Sequence, residues 1–339
     1  MKIIWKLVII LVVAGIFLMM IGYLLGASTT LYLDRTGIHV PKEIEYRIKD
    51  LDIGYINEIY IDINHCDVEF IKADKYGIDA CSYDTEWEWS HENDTLIIDH
   101  SNRYSMHILS LNLSNQSPKR NYIKVYLPNE AKLNSVQITS NSGSMTIGDL
   151  DAELLKIYSS YGNVKLNSVS CISMSIDLDS SDFTGKDLVA ESISYTNKYG
   201  DSRFSNVNAD TFTADCNSGD LTLDTCTYND MSIKNSYGKV NSNDLTCNKA
   251  DISAYSGDVT ISGNLYGETQ INANYSDINI TTSGMAEDYS YDLTTKYGKI
   301  VFDGEALKDS LSLKGGTVSD RVIKIIASSG DILVYFSGE

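Results

Sequence analysis

Two patterns of apolar positions divide the chain. Residues 7–25, LVIILVVAGIFLMMIGYLL, form an unbroken uncharged run. From residue 140 onward apolar residues instead alternate with polar ones, in a frame that copies itself. SGSMTI (142–147), YGNVKL (161–166), YGDSRF (199–204), SGDLTL (218–223), YGKVNS (237–242) and SGDVTI (256–261) share it. Their glycines, Gly143, Gly162, Gly200, Gly219, Gly238 and Gly257, lie 19 residues apart or, once, 38. Ser181 stands in the skipped copy, SSDFTG (180–185), and Ser276 in the next, YSDINI (275–280), so eight copies hold the period without an insertion. Two more, YGKIVF (297–302) with Gly298 and SGDILV (329–334) with Gly330, follow at intervals of 22 and 32.

Counted from the glycine, the second and fourth residues are apolar in most copies: Met145 and Ile147, Val164 and Leu166, Leu221 and Leu223, Val259 and Ile261. The seventh (Leu150, Val169, Leu188, Val207, Cys226, Leu245) and the twelfth and fourteenth (Leu155 and Ile157, Met174 and Ile176, Met231 and Ile233) follow suit. Period two means half-buried strand, so each copy reads strand, turn, strand, turn. Nothing of helical period follows the first run. A 19-residue unit cannot bury an apolar face alone, but stacked units can, as ladders ~4.8 Å apart. The expected fold is therefore all-β after one N-terminal transmembrane helix: a parallel β-solenoid, a single-stranded right-handed β-helix of ~19-residue coils. The repeat glycines would turn corners at positive φ. An antiparallel sandwich with regular hairpins is the alternative. The residue before each glycine position alternates, Ser142, Tyr161, Ser180, Tyr199, Ser218, Tyr237, Ser256, Tyr275. One coil per single copy would interleave Tyr and Ser along one edge; one coil per two copies would stack each type on its own side.

The first run is long enough to span a hydrocarbon core of ~30 Å, and Lys2 and Lys6 precede it. This predicts a cytoplasmic tail (1–6), a transmembrane helix (7–26), a juxtamembrane linker (27–40) and an extracellular remainder: a single-pass cell-membrane protein. A cleaved signal peptide is the competing interpretation, although Leu25 spoils a small-x-small site ending at Ala27. Residues 41–130 carry strand-like stretches without the period, such as 59–71, 78–89, 95–100 and 121–128, and are expected to be a β cap or irregular first coils. Repeats fill 131–339. Trp87 and Trp89 fall on one face of their strand and suit cap packing or a binding patch.

Composition narrows the chemistry. With 27 Lys+Arg against 46 Asp+Glu, the formal charge of −19 argues against nucleic acid as partner. Six cysteines (Cys66, Cys81, Cys171, Cys216, Cys226, Cys247) have no metal-site spacing. Most suit small buried fillers, and a Cys66–Cys81 disulfide stays open. Asp182, Asp201, Asp220, Asp258, Asp277 and Asp331 follow the glycine position, broken by Lys239 and Lys299. A solvated acidic edge is favoured over calcium bridging. All five histidines (His39, His65, His91, His100, His107) precede the repeat, so the solenoid holds no His-based catalytic set. No enzyme, cofactor or metal is expected. The row Tyr161, Tyr199, Tyr237, Tyr275 and Tyr297 is either a platform for sugars or a partner, or a cover over the corner backbone.

The stretch VYLPNEAKLNSVQITSNSGSMTIGDL (125–150), with Leu127–Pro128 closing the N-terminal part, then the SG-D and YG-K strands, resembles the bacterial DUF4097 family over about residues 40–339. These β-strand-repeat proteins are named as candidate adhesins and are akin to head GIN-domain β-helix proteins. The resemblance implies location and fold and carries no catalytic residues. Together these readings predict a membrane-anchored, cell-surface binding or display protein, an adhesin or envelope scaffold, whose partners are the membrane and an unidentified surface glycan or protein. The alternative is an extracellular sensor acting through a membrane partner. A carbohydrate-active β-helix enzyme ranks last.

Overall fold

The computed structural model describes residues 2–24, 30–34, 37–39, 45–83, 86–100, 109–112, 120–307, 311–316 and 319–338. They fall into two compact units, Met1–Tyr46 with Ser82–Glu86 and Asn102–Arg120, and Arg47–Cys81 with Trp87–Ser101 and Asn121–Glu339. The first unit contains the helix Lys2–Leu24 and a three-stranded antiparallel sheet in the order Gly37–His39, Thr30–Asp34, Leu109–Asn112. The helix occupies the expected span. Among the described residues, however, no helix is long and apolar enough to cross a membrane. The segment 27–40, expected as plain linker, holds two strands, because Leu31 and Leu33 pair with Leu111 and Leu109 across the sheet.

The second unit is the coil stack. Met145–Tyr161, Val164–Ser180, Phe183–Tyr199 and Ser202–Ser218 are each 17 residues long. Each pairs in parallel with the next, one repeat further on, as in Met145↔Val164, Ile157↔Ile176 and Tyr161↔Ser180. One coil therefore takes a single copy of the repeat rather than two, and the sandwich is excluded. Within a rung, inward and outward residues alternate except at three places where two neighbours both face out. In the first copy these are Gly148–Asp149, Glu153–Leu154 and Ser160–Tyr161, and the ladder skips a residue at each. Each coil thus has three bends. At one of them Asp149, Ser168, Asp187, Asn206, Thr225 and Asp244 hold φ of 51–56°. All six are Asp, Asn, Ser or Thr, whose short polar side chains tolerate the left-handed region by bonding locally.

The repeat glycines are required twice over. From Gly143 to Gly257 they hold φ between 110° and 159°. A Cβ at Gly162 would also lie 2.2 Å from the Gly143 carbonyl oxygen, and one at Gly257 1.9 Å from that of Gly238. Backbones of successive rungs touch there. Cys66, Ser181 and Ser276 occupy the same column without positive φ and bury their side chains.

Seven positions per rung face inward. The apolar columns expected at the second, fourth, seventh, twelfth and fourteenth positions are buried, and two more join them at the ninth and sixteenth. The ninth holds Ala152, Cys171, Ala190, Ala209, Tyr228 and Cys247; the sixteenth holds Ser159, Leu178, Asn197, Cys216, Asn235 and Ala254. Burial is kept in these two columns while residue type and size vary, from Ala152 to Tyr228 and from Ser159 to Leu178. Where Gly185 leaves an inward position empty, Phe183 covers it and packs on Tyr195 and Phe204 with centroids 5.0 and 4.9 Å away. Phe212 and Tyr228 extend this cluster. Asn197 Nδ2 donates to the Tyr195 hydroxyl at 3.1 Å and to the Ser181 carbonyl at 3.0 Å, so the interior amide is satisfied on that side.

Cys171, Cys216, Cys226 and Cys247 are buried free thiols. Burial pushes those of Cys171, Cys216 and Cys247 up to about 12. Cys66 and Cys81 flank the strand Asn121–Pro128 on opposite sides, pairing with Asn121 and Tyr122. Two ladder spacings, ~9.6 Å, exceed the ~7 Å a disulfide spans. Trp87 and Trp89 do not share a patch: Trp87 is buried against His100, centroids 4.5 Å apart, while Trp89 is exposed.

At both ends, order in space departs from order in sequence. Val322–Ser329 and Ile332–Phe336 lie between the rung Glu268–Thr282 and the rung Ser290–Phe302, as in Ile271↔Ile325 and Leu293↔Ile325. Ser312–Gly316 and Glu305–Ala306 run antiparallel along the outer edge. At the other end Glu58–Ala73 lies between Leu133–Ser142 and an outer rung made of Thr95–His100 and Asn121–Pro128. Glu88–Glu92 and Gly77–Ser82 again cover that edge antiparallel. The region expected as a cap or irregular first coils therefore supplies complete rungs together with the strands that cover their edge.

Candidate functional site

The five row tyrosines stand on one edge. Ladder pairs run Ser142↔Tyr161↔Ser180↔Tyr199↔Ser218↔Tyr237↔Ser256↔Tyr275↔Ser329↔Tyr297. In sequence Tyr275 and Tyr297 are successive copies; in space Ser329 sits between them and the alternation continues. Tyr161, Tyr199, Tyr237, Tyr275 and Tyr297 are 54–68 % exposed. Their spacing of two rungs is ~9.6 Å. The outward direction follows from the bend, where two consecutive residues leave the core. Lys296 lies over the Tyr297 ring at 5.1 Å.

Beside this column runs a carboxylate ladder. Asp182 Oδ1 accepts from the Asp201 amide at 3.0 Å, Asp201 from Asp220 at 2.9 Å and Asp220 from Lys239 at 2.8 Å. Farther along, Asp258 accepts from Asp277 at 3.2 Å, Asp277 from Asp331 at 2.8 Å and Asp331 from Lys299 at 2.8 Å. Each carboxylate ties the corner amide of the next rung, and each run stops at a lysine, whose side chain has no acceptor to pass on. The acidic edge is thus a hydrogen-bonded element of the stack as well as a solvated face. Among the described residues no group of three or more His, Cys, Asp or Glu could hold a metal ion.

A groove opens on the face next to the tyrosines, with a volume of about 430 Å³. Lys234, Ser253, Asn272 and Ile326, on four successive rungs, form one wall. Tyr255 and Asn274 stand on the other, and buried Ala254 and Ala273 lie in the floor. Tyr255 is in the column two places before the glycine position, where Ser160, Asp179, Lys198, Asn217, Ser236, Asn274 and Ser328 hold the other rungs. Its ring bridges the row, 6.0 Å from Tyr237 and 5.9 Å from Tyr275, nearly perpendicular to both. Sequence reasoning missed Tyr255 because it departs from the repeat rather than following it. The signal that could have found it is the single aromatic in an otherwise polar column.

The family model described as Toastrack DUF4097 matches residues 56–184 and again 171–335. The chain belongs to the Toastrack family. The Toastrack matches overlap over 171–184, inside the regular repeat, where one rung can serve either half. Among solved structures, a candidate lipid binding protein from Parabacteroides distasonis ATCC 8503 is 16 % identical, with a TM-score of 0.42, over 86 % of this chain and 96 % of that one. A candidate adhesin from Bacteroides fragilis NCTC 9343 is 14 % identical, with a TM-score of 0.39, over 87 % and 98 %. A candidate cell adhesion protein from Clostridium sporogenes ATCC 15579 is 9 % identical, with a TM-score of 0.27, over 87 % and 100 %. Likeness at this level carries no argument about function. Among curated proteins none matches the chain.

Proposed function

We propose that this Toastrack protein is a membrane-anchored binding or display protein of the cell surface, an adhesin or envelope scaffold that works without catalysis. The supporting observation is the tyrosine edge: an exposed ring on every second rung, held at fixed pitch by a ladder that leaves the rod little freedom to collapse. The uncharged run 7–25 behind Lys2 and Lys6 inserts as a single-pass helix, with the N-terminus cytoplasmic and the right-handed coil outside. The row binds a surface glycan or protein by stacking and by phenol hydrogen bonds.

Two measurements test this. Membrane fractions washed with alkaline carbonate retain the full-length chain; release into the wash overturns the anchor. Detergent-solubilised full-length protein adheres to cell-envelope fragments, and replacing Tyr161, Tyr199, Tyr237 and Tyr297 by Ala together lowers retention at least fivefold. Unchanged retention overturns the edge as the binding surface.

A further inference from the structure

We infer that the groove beside Tyr255 is a saccharide site for an extended β-1,4-linked oligosaccharide of acetamido sugars, lying along the stack. The inference rests on the surface-binding reading and locates its strongest contact. Three observations carry it.

The first is aromatic. Elsewhere the row presents isolated rings separated by a serine rung. Here alone Tyr255 fills the gap, so Tyr237, Tyr255 and Tyr275 become one continuous edge, each ring about half exposed or more. Sugar rings carry patches of C–H that seat on aromatic faces. Tyr supplies such a face at low conformational cost, with a hydroxyl at its tip. The two-rung spacing of ~9.6 Å between Tyr237 and Tyr275 is close to the advance of one disaccharide along an extended β-1,4 chain.

The second is the shape of the groove. Its walls are built from four consecutive rungs, three spacings or ~14 Å, so its long axis follows the stack. Lys234 and Ile326 stand at its two ends, and the small side chain of Ser253 leaves the middle open.

The third is the chemistry of the lining. A chain of formal charge −19 presents carboxylates widely, yet none lines this groove. Asn272 and Asn274 offer amides that match the donor and acceptor of an acetamido group. Ile326, 57 % exposed, offers apolar surface for its methyl. Lacking the pair of carboxylates that glycoside hydrolysis uses, the groove holds its ligand without cleaving it.

The test is calorimetric titration of the detergent-solubilised full-length protein with β-1,4-linked N-acetylglucosamine tetramer, and with the glucose tetramer that lacks the acetamido groups. The expected result is saturable binding of the first and at least tenfold weaker binding of the second. Tyr255→Ala is expected to weaken the first at least tenfold and Tyr255→Phe less than threefold. Tyr158→Ala, an exposed ring outside the row and the groove, is expected to change it less than twofold. Equal loss in Tyr158→Ala and Tyr255→Ala overturns the groove as the site. Equal binding of the two tetramers overturns the acetamido preference. Absence of titratable binding, in a protein that still adheres to envelope fragments through its tyrosines, overturns this site and leaves the surface-binding reading standing; loss of both removes both.

Discussion

In the middle of the stack, from Val164 to Ser256, each rung lies between the preceding and the following copy of the repeat. The ends obey a different rule. At the C-terminal end the chain lays down the outer rung Ser290–Phe302, covers it with Glu305–Ala306 and Ser312–Gly316, and returns to fill the slot inside with Val322–Phe336. At the N-terminal end the inner rung Glu58–Ala73 comes first, and Gly77–Ser82, Glu88–Glu92, Thr95–His100 and Asn121–Pro128 then build the outer rung and its cover. A stack of identical parallel rungs leaves a bare edge at each end, an open template for further pairing. Both ends solve this alike. Short antiparallel strands close the edge, and the rung beneath is clamped by partners on both sides.

The sharpest way to break the comparison is to remove residues 319–338. If rungs stacked in sequence order, this would trim the last one and leave the rest intact. With the observed order it empties an interior slot: Ile323, Ile325, Ala327, Ile332 and Val334, all buried, leave together, a gross apolar burial of roughly 8 kcal/mol. Ser290–Tyr297 also loses its parallel partner. Hydrogen exchange is expected to show Ser290–Tyr297 unprotected and the chain aggregating through the edge of Glu268–Tyr275. Retained protection of Ser290–Tyr297 in the truncated chain would contradict the insertion.

The middle was legible in the sequence because each of its rules repeats in register. Gly162, Gly219 and Gly238 mark a corner where no Cβ fits, and Val164, Leu221 and Val259 mark the inward phase. The ninth and sixteenth columns were not legible, since Ala152, Tyr228, Leu178, Asn197 and Asn235 share burial but neither size nor hydropathy. The ends were hidden for another reason: a period reports the order of copies along the chain, and here neighbours in space are separated by an intervening copy, as in Tyr275↔Ser329. Two clues were nonetheless present. Tyr275 and Tyr297 break the Tyr/Ser alternation, which Ser329 restores when placed between them. Likewise Asp182, Asp201, Asp220, Lys239 recurs as Asp258, Asp277, Asp331, Lys299 only in spatial order.

A smaller perturbation tests how much tighter the middle is. At Gly257, φ is 144° and a Cβ would sit 1.9 Å from the Gly238 carbonyl oxygen, so Gly257→Ala requires two rungs to part. It is expected to cost about 4 kcal/mol in urea unfolding, the range of severe backbone clashes. Gly338, past the last strand, also has positive φ (74°) but open space around it, so Gly338→Ala is expected to cost about 1 kcal/mol, the left-handed penalty alone. Similar losses at the two sites would mean that the rungs separate easily and that close backbone contact contributes little.

The smallest effect, per site, distinguishes the middle from the C-terminal end by pH. Cys171, Cys216 and Cys247 lie in middle rungs, whereas no cysteine follows residue 247. Burial raises these three thiols from 9.0 to about 12, so the fold favours the neutral form. Their contribution is complete below pH 9, where the unfolded chain keeps its thiols protonated. It falls as pH climbs from 9 toward 12, because the unfolded chain then releases protons that the folded chain retains. The loss is of order 1 kcal/mol per thiol at pH 10. Burial also raises the Tyr195 phenol, which adds a loss of the same sign above pH 10. Hydrogen exchange at pH 10 is expected to show middle rungs opening while the Ile323–Ile325 ladder stays closed, and the triple substitution Cys→Ala at 171, 216 and 247 to flatten urea stability between pH 8 and 10. In a stack where each rung contacts only its neighbours, a local loss stays local. Simultaneous opening of both regions would show instead that the clamped end and the regular middle unfold as one cooperative body.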